Sequence, residues 1–109
     1  MFALALLQLS AGAVAAPDCH GITRTHIGQK SGLPAEVATA LPSPMAEHGQ
    51  PFQAGDVISS PRLPLYRFVE AEQRGCRLTI IYEHGGRGYG TGKATFEYGQ
   101  LGWLLITSV

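Results

Sequence analysis

The residues best suited to chemistry lie in one glycine-rich stretch, residues 83–93, in which five glycines fall within eight positions. His84, Arg87, Tyr89 and Lys93 stand among them or beside them. Glycine leaves backbone N–H groups open to a ligand, Arg87 offers a forked donor for a carboxylate or phosphate, and Tyr89 offers an amphipathic anchor. We predict a binding site formed by these four side chains. The alternative is that the glycines only permit a hairpin tip or close packing.

His84 is also the candidate for catalysis. At the end of a predicted strand, beside Tyr82, it could act as a general base at the mouth of a pocket. Glu83 would point to the opposite face of that strand, so the two side chains cannot form an acid–base pair there. No Gly-x-Ser-x-Gly elbow is present either. The pattern favours a strand-end histidine bonded to backbone over a catalytic one. The sequence thus leans against an enzyme without excluding one.

The usual sequence motifs for phosphate and metal binding are absent from this chain. A Walker motif needs glycine where Arg87 stands and Ser or Thr where Ala94 stands. A dinucleotide fingerprint needs a helix after the glycines, whereas a strand is predicted. No pair has the usual metal-ligand spacing among the four histidines, which are His20, His26, His48 and His84. We therefore expect no cofactor and no metal.

The start of the chain predicts export. Residues 1–15 are apolar except Gln8 and Ser10, and they end in the small-x-small pattern Ala13-Val14-Ala15. We predict a signal peptide over 1–15, a single small β-rich domain over 16–109, and a periplasmic or secreted location. A buried N-terminal helix is the alternative, because no Lys or Arg precedes the apolar run.

The two cysteines and the charge balance narrow the class of protein further. An even cysteine count in an exported chain predicts a disulfide between Cys19 and Cys76. Eight basic and eight acidic residues leave no surplus of positive charge, which argues against a nucleic-acid partner. The apolar start is shorter than the roughly 20 residues of a spanning helix, so we expect no membrane span in the mature chain.

The fold class predicted is mainly β: an antiparallel meander of four to five strands with one short helix and an N-terminal arm. A four-residue repeat of Leu33, Val37 and Leu41 indicates the helix. Strands are predicted over 65–72, 77–84, 93–98 and 103–108, with a possible further one near 56–58. The last of these, from Trp103, is nearly all apolar, which predicts a strand covered on both faces.

These patterns together favour a non-catalytic exported binding protein of the inhibitor, immunity or accessory kind. It would engage a protein or a glycan of the cell envelope through the glycine-rich hairpin loop. Two alternatives remain, namely a small envelope hydrolase that uses His84 and a structural envelope oligomer that pairs through an exposed edge strand.

Overall fold

A computed structural model describes residues 19–55 and 62–109 of the chain. The signal peptide predicted for 1–15 and the possible strand near 56–58 lie outside these residues. One helix is described, α1 (Ala35–Ala40), with short 3₁₀ turns at Cys19–Gly21 and Lys30–Gly32. The described strands are β1 (Thr25–Ile27), β2 (Met45–Ala46), β3 (Tyr66–Arg74), β4 (Arg77–His84), β5 (Gly90–Gly99) and β6 (Gly102–Ser108).

All of these strands join one sheet, in the order β1-β3-β4-β5-β6, and β2 pairs in parallel with the start of β3. Strands β3 to β6 form an antiparallel meander. This confirms the predicted mainly-β fold with one short helix. The described residues hold six strands, more than the four or five predicted, because short segments at 25–27 and 45–46 also pair with the sheet edge.

The predicted disulfide is present between Cys19 and Cys76, whose Cα atoms are 4.9 Å apart. Cys76 lies with Gly75 in the tight turn between β3 and β4, and Cys19 is buried beside it. The Gly75 N–H also donates to the carbonyl of Ile22 at 2.9 Å. The bond therefore ties the N-terminal arm to one end of the sheet.

Helix α1 covers one face of the sheet. Its boundaries follow from the sequence, since Pro34 suits a helix start and Pro42 cannot continue the helix. A helix this short has no stability of its own in water, and Val37 supplies the contact it needs by packing fully buried in the core. The core on that face also contains Phe68, Leu78, Ile80, Phe96 and Trp103.

A bulge in β3 keeps its apolar residues on the core side. The register shifts between Phe68 and Glu70, so Val69 is the extra residue. Phe68 and Ala71 are three positions apart and would face opposite sides of a regular strand, yet both are buried. Arg67 and Glu83, paired across β3 and β4, lie on the opposite face, which α1 does not cover.

Strand β6 is more exposed to solvent than its sequence predicts. Trp103 is buried, but Leu104, Leu105 and Ile106 are 51%, 48% and 43% exposed. The prediction that both faces of this strand are covered is wrong for these residues. The reason is topological, because β6 is the last strand of the sheet and α1 reaches only its beginning.

Candidate functional site: a cleft beneath the β4–β5 hairpin

The glycine-rich stretch forms a tighter hairpin than its composition suggests. His84 pairs with Gly90, so the connection is only the five residues from Gly85 to Tyr89, and the remaining glycines belong to β5. This length is ordinary for a hairpin. Within it Gly86 and Gly88 have φ angles of 88° and 103°, which side-chain-bearing residues rarely adopt.

Two of the glycines make room for rings. Gly90 lies across from His84, and a Cβ built on it would stand 2.6 Å from the imidazole Nε2. Gly92 lies across from Tyr82 in the same way, with 2.6 Å from its Cβ position to the phenol oxygen. The alternation of glycines in β5 therefore seats the last two inward side chains of β4.

The base of the hairpin is held by backbone hydrogen bonds to Gly55 and Leu65. The Gly85 N–H donates to the carbonyl of Leu65 at 2.9 Å, and the Gly86 N–H donates to that of Gly55 at 2.6 Å. A Cβ on Gly85 would lie 2.6 Å from the carbonyl carbon of Gln53. Only glycine permits so close an approach between the two backbones.

These contacts enclose an open cleft of about 560 Å³. Its lining includes Pro42, Leu65, Tyr66, Tyr82, His84 and Arg87. The rings of Tyr66 and Tyr82 meet edge to face with centroids 6.0 Å apart, and Tyr66 is the strand partner of His84. The wall is therefore mainly apolar and aromatic, and its polar groups gather at the hairpin end.

Arg87 differs from the arginines of the sheet. Arg24, Arg67, Arg74 and Arg77 each form an ion pair with a glutamate. Within residues 19–55 and 62–109, no carboxylate bonds to Arg87, and the cleft lining contains no Asp or Glu. An exposed guanidinium above an apolar wall can donate two parallel hydrogen bonds to an incoming carboxylate.

A second, smaller groove of about 420 Å³ lies on the opposite face of the sheet. The Arg67 side chain donates to both oxygens of Glu83, at 2.8 and 3.3 Å, and the Tyr89 hydroxyl donates to Glu83 at 2.7 Å. Arg67 also stacks over the ring of Phe52, 4.3 Å from its centroid. Tyr89 thereby attaches the hairpin tip to the sheet.

This network perturbs the titration of its members. The bond from Arg67, followed by that from Tyr89, holds the pKa of Glu83 below its ordinary value. The same carboxylate raises the pKa of Tyr89, because the protonated phenol donates a hydrogen bond to it and an ionised phenol would in addition meet a like charge. Glu83 is thus kept ionised and occupied, which leaves it poorly suited to act as a general acid.

The structure separates the four residues predicted as a binding site. His84 and Arg87 lie together in the cleft, and Tyr89 lines the smaller groove. Lys93 lies on the face opposite the core, and its backbone pairs with that of Val109, the residue after β6. Tyr66 is a site residue that the sequence did not predict, because an aromatic residue at a strand position is more often part of the core.

Among the described residues, His84 has no carboxylate partner of the kind that orients a general base. A catalytic imidazole is usually oriented by a carboxylate, and none in the described part of the chain bonds to His84. Nor do the described residues contain a group of three His, Cys, Asp or Glu side chains able to hold a metal. Among those residues no helix is long and apolar enough to cross a membrane.

Comparison with protein-family models, curated proteins and solved structures gives no match to this chain. The features that bear on its function are therefore those of its own residues, namely the cleft, an Arg87 side chain that bonds to no described carboxylate, and the disulfide.

Proposed function

We propose that this chain is a non-catalytic exported binding protein that captures a protein partner through the cleft beneath the β4–β5 hairpin. The observation that carries the proposal is the Arg87 guanidinium at the rim of an aromatic cleft, which bonds to no carboxylate within residues 19–55 and 62–109. A buried aromatic floor with a forked cation at its edge suits an apolar side chain that is followed by a carboxylate. An acidic segment of a partner protein presents both.

A protein fits the cleft better than a glycan does. Sugar rings bind by lying flat on exposed aromatic faces, and Tyr82 is only 6% exposed with its ring packed against Gly92. The Tyr66 ring packs edge to face against Tyr82, and the walls at Pro42 and Leu65 are aliphatic. These surfaces favour a branched or aromatic side chain, and recognition of a glycan becomes one of the outcomes of the test.

Export is supported by the apolar start with its Ala13-Val14-Ala15 ending and by the disulfide, since disulfides persist in oxidising compartments. The mass of native protein tests this part. We expect a chain that begins at Ala16 and has lost two hydrogens to the disulfide. Retention of Met1, or two thiols that titrate in the folded protein, would contradict export.

Binding is tested first with small probes. We expect the peptide acetyl-Leu-Asp-amide to shift the NMR signals of Tyr66, His84 and Arg87 in a saturable way. The matched acetyl-Leu-Asn-amide, which lacks the charge, should bind several-fold more weakly. A neutral oligosaccharide serves as the glycan probe, and tighter binding of it than of both peptides would contradict a protein partner.

Matched variants then locate the site. Arg87→Ala should abolish the preference for the charged peptide and leave the melting temperature unchanged, because Arg87 is exposed and bonds to no described carboxylate. Arg77→Ala removes the same charge at the far end of β4 and should bind as the unchanged protein does. Equal binding by the two variants would exclude the cleft as the binding site.

A further inference from the structure

The outer edge of β6 is open over part of its length. β6 ends the sheet, so one side of its backbone has no strand partner among the described residues. Near its start the Trp103 N–H points outward and donates to the Glu36 carboxylate of α1 at 3.2 Å. Glu36 also fills the space beside Gly102, where its Oε2 would lie 2.8 Å from a Cβ. The helix thus closes the edge at its beginning and leaves the rest open.

The open part exposes backbone groups as well as apolar side chains. Outward N–H groups recur every second residue in an antiparallel strand, so the Leu105 N–H faces the same way as that of Trp103. Leu104 is paired with Glu97 and Leu105 with Phe96, which places the two leucines on opposite faces of the strand. Both are about half exposed. A strand laid alongside would bond to the backbone and cover apolar surface on both faces.

Two of the devices that normally protect an edge, charged side chains and proline, are absent from β6. Natural edge strands carry charges, especially lysine, or proline, to prevent pairing with another chain. From residue 102 to residue 109 there is neither a charge nor a proline. The bulge at Ile106, between the pairs Phe96–Leu105 and Thr95–Thr107, interrupts the side bonded to β5 but adds no charge.

The geometry points to a second copy of this chain as the occupant, paired antiparallel with β6 across a two-fold axis near Leu105. In a two-fold antiparallel pair the residue at the axis meets its own copy, and residues on one side of it meet those on the other side, so a strand whose charges all have one sign would repel its copy. β6 carries no charged side chain and pairs with its own copy without that repulsion. A foreign strand selected by charge would find nothing on β6 to select it. This inference is independent of the cleft and of its ligand.

The dimer should be weak, because Glu36 occupies the Trp103 N–H and a pair centred on Leu105 then extends over only about three residues of each strand, far less than a standard interface. Sedimentation equilibrium up to about 1 mM protein would reveal an association worth about 4 kcal/mol or more. We expect a monomer–dimer equilibrium of the oxidised protein lacking residues 1–15. A strict monomer over this range would overturn the proposal.

Charge variants test the strand itself. Leu105→Lys should abolish the dimer by placing two positive charges at the axis. Leu101→Lys adds the same charge in the turn before β6, where Leu101 is 83% exposed, and should leave the dimer intact. Mixing Leu105→Lys with Leu105→Glu should restore a dimer, which only pairing near residue 105 explains. Equal association of the two lysine variants, or no heterodimer on mixing, would overturn the proposal.

Hydrogen exchange provides a measurement that needs no variant. If β6 pairs with itself, exchange of the Leu105 amide in the unchanged protein slows several-fold between dilute and concentrated samples. The amide of Ile80 in the buried centre of the sheet serves as the control and should not change. A Leu105 amide whose exchange is independent of concentration would contradict pairing even if the charge variants failed to fold.

Discussion

The ring of Tyr82 occupies the space that a side chain at position 92 would fill. The two residues are strand partners, and a Cβ on Gly92 would lie 2.6 Å from the phenol oxygen. The same relationship joins His84 to Gly90 two pairs further along. The glycines of β5 therefore determine where the rings of β4 stand, and so shape the cleft.

Replacing Gly92 by alanine should destabilise the protein. Alanine normally favours a strand over glycine, but here the methyl group overpacks the site, which costs about 1–3 kcal/mol. Urea unfolding measures the change. Gly99→Ala, also in β5, is the matched control, because no atom lies within 4 Å of its Cβ position. Equal stability of the two variants would show that Tyr82 does not depend on the space above Gly92.

Replacing Gly85 by alanine should separate the hairpin from the 53–55 segment. Its Cβ would lie 2.6 Å from the Gln53 carbonyl carbon, and backbone cannot move aside as a flexible side chain does. We expect a loss of stability of about 2 kcal/mol or more, together with faster hydrogen exchange at Gly86. Unchanged protection of the Gly86 amide in this variant would contradict the role assigned to the close contact.

Reduction of the Cys19–Cys76 bond should destabilise the protein. The bond closes a loop across a sequence separation of 57. In the chain-entropy model a loop of that size is worth about 4 kcal/mol. Urea unfolding with and without reductant measures the effect. A variant with serine at both positions should be as unstable as the reduced protein, and reductant should not change its stability. A reduced protein as stable as the oxidised one would contradict this role.

Stability should depend on pH through Glu83. Arg67 lowers its pKa in the folded state below the ordinary value of 4.5, so the unfolded chain takes up a proton at higher pH than the folded protein does. The stabilisation is complete above about 4.5 and is lost as the pH falls through the lower folded pKa. Urea unfolding between pH 7 and pH 3 tests this.

Two glutamine variants separate Glu83 from the other carboxylates. Glu83→Gln should lose about 1–3 kcal/mol at pH 7 and flatten the pH dependence, because the side chains of Arg67 and Glu83 are only 27% and 15% exposed. Glu97→Gln breaks the Arg77 pair, which is 58% and 47% exposed, and should change stability by less than about 1 kcal/mol. Equal effects would assign the pH dependence elsewhere.

The cleft could be predicted only in part from the sequence. His84 and Arg87 stand out because their residue types can do chemistry and glycines surround them. Tyr66 did not, because an aromatic residue at a strand end is usually a core residue, and its pairing with His84 depends on the register of β3 and β4. Nearness in sequence is the reason that Tyr89 and Lys93 are predicted in the same binding site as His84 and Arg87. The hairpin turns Tyr89 toward Glu83, on the other face of the sheet.

What the sequence determined by itself is local and periodic. The alternation over 77–84 set a strand and its two faces, the spacing of Leu33, Val37 and Leu41 set a short helix, and two cysteines set the one disulfide that they can form. Each follows from neighbouring residues or from simple counting. Tertiary structure decided what joins distant segments: which strand became the sheet edge, and which glycines met Tyr82 and His84. Both depend on the strand order, which local preferences do not encode. That order places the apolar strand β6 at the edge of the sheet, where Leu104, Leu105 and Ile106 stay about half exposed.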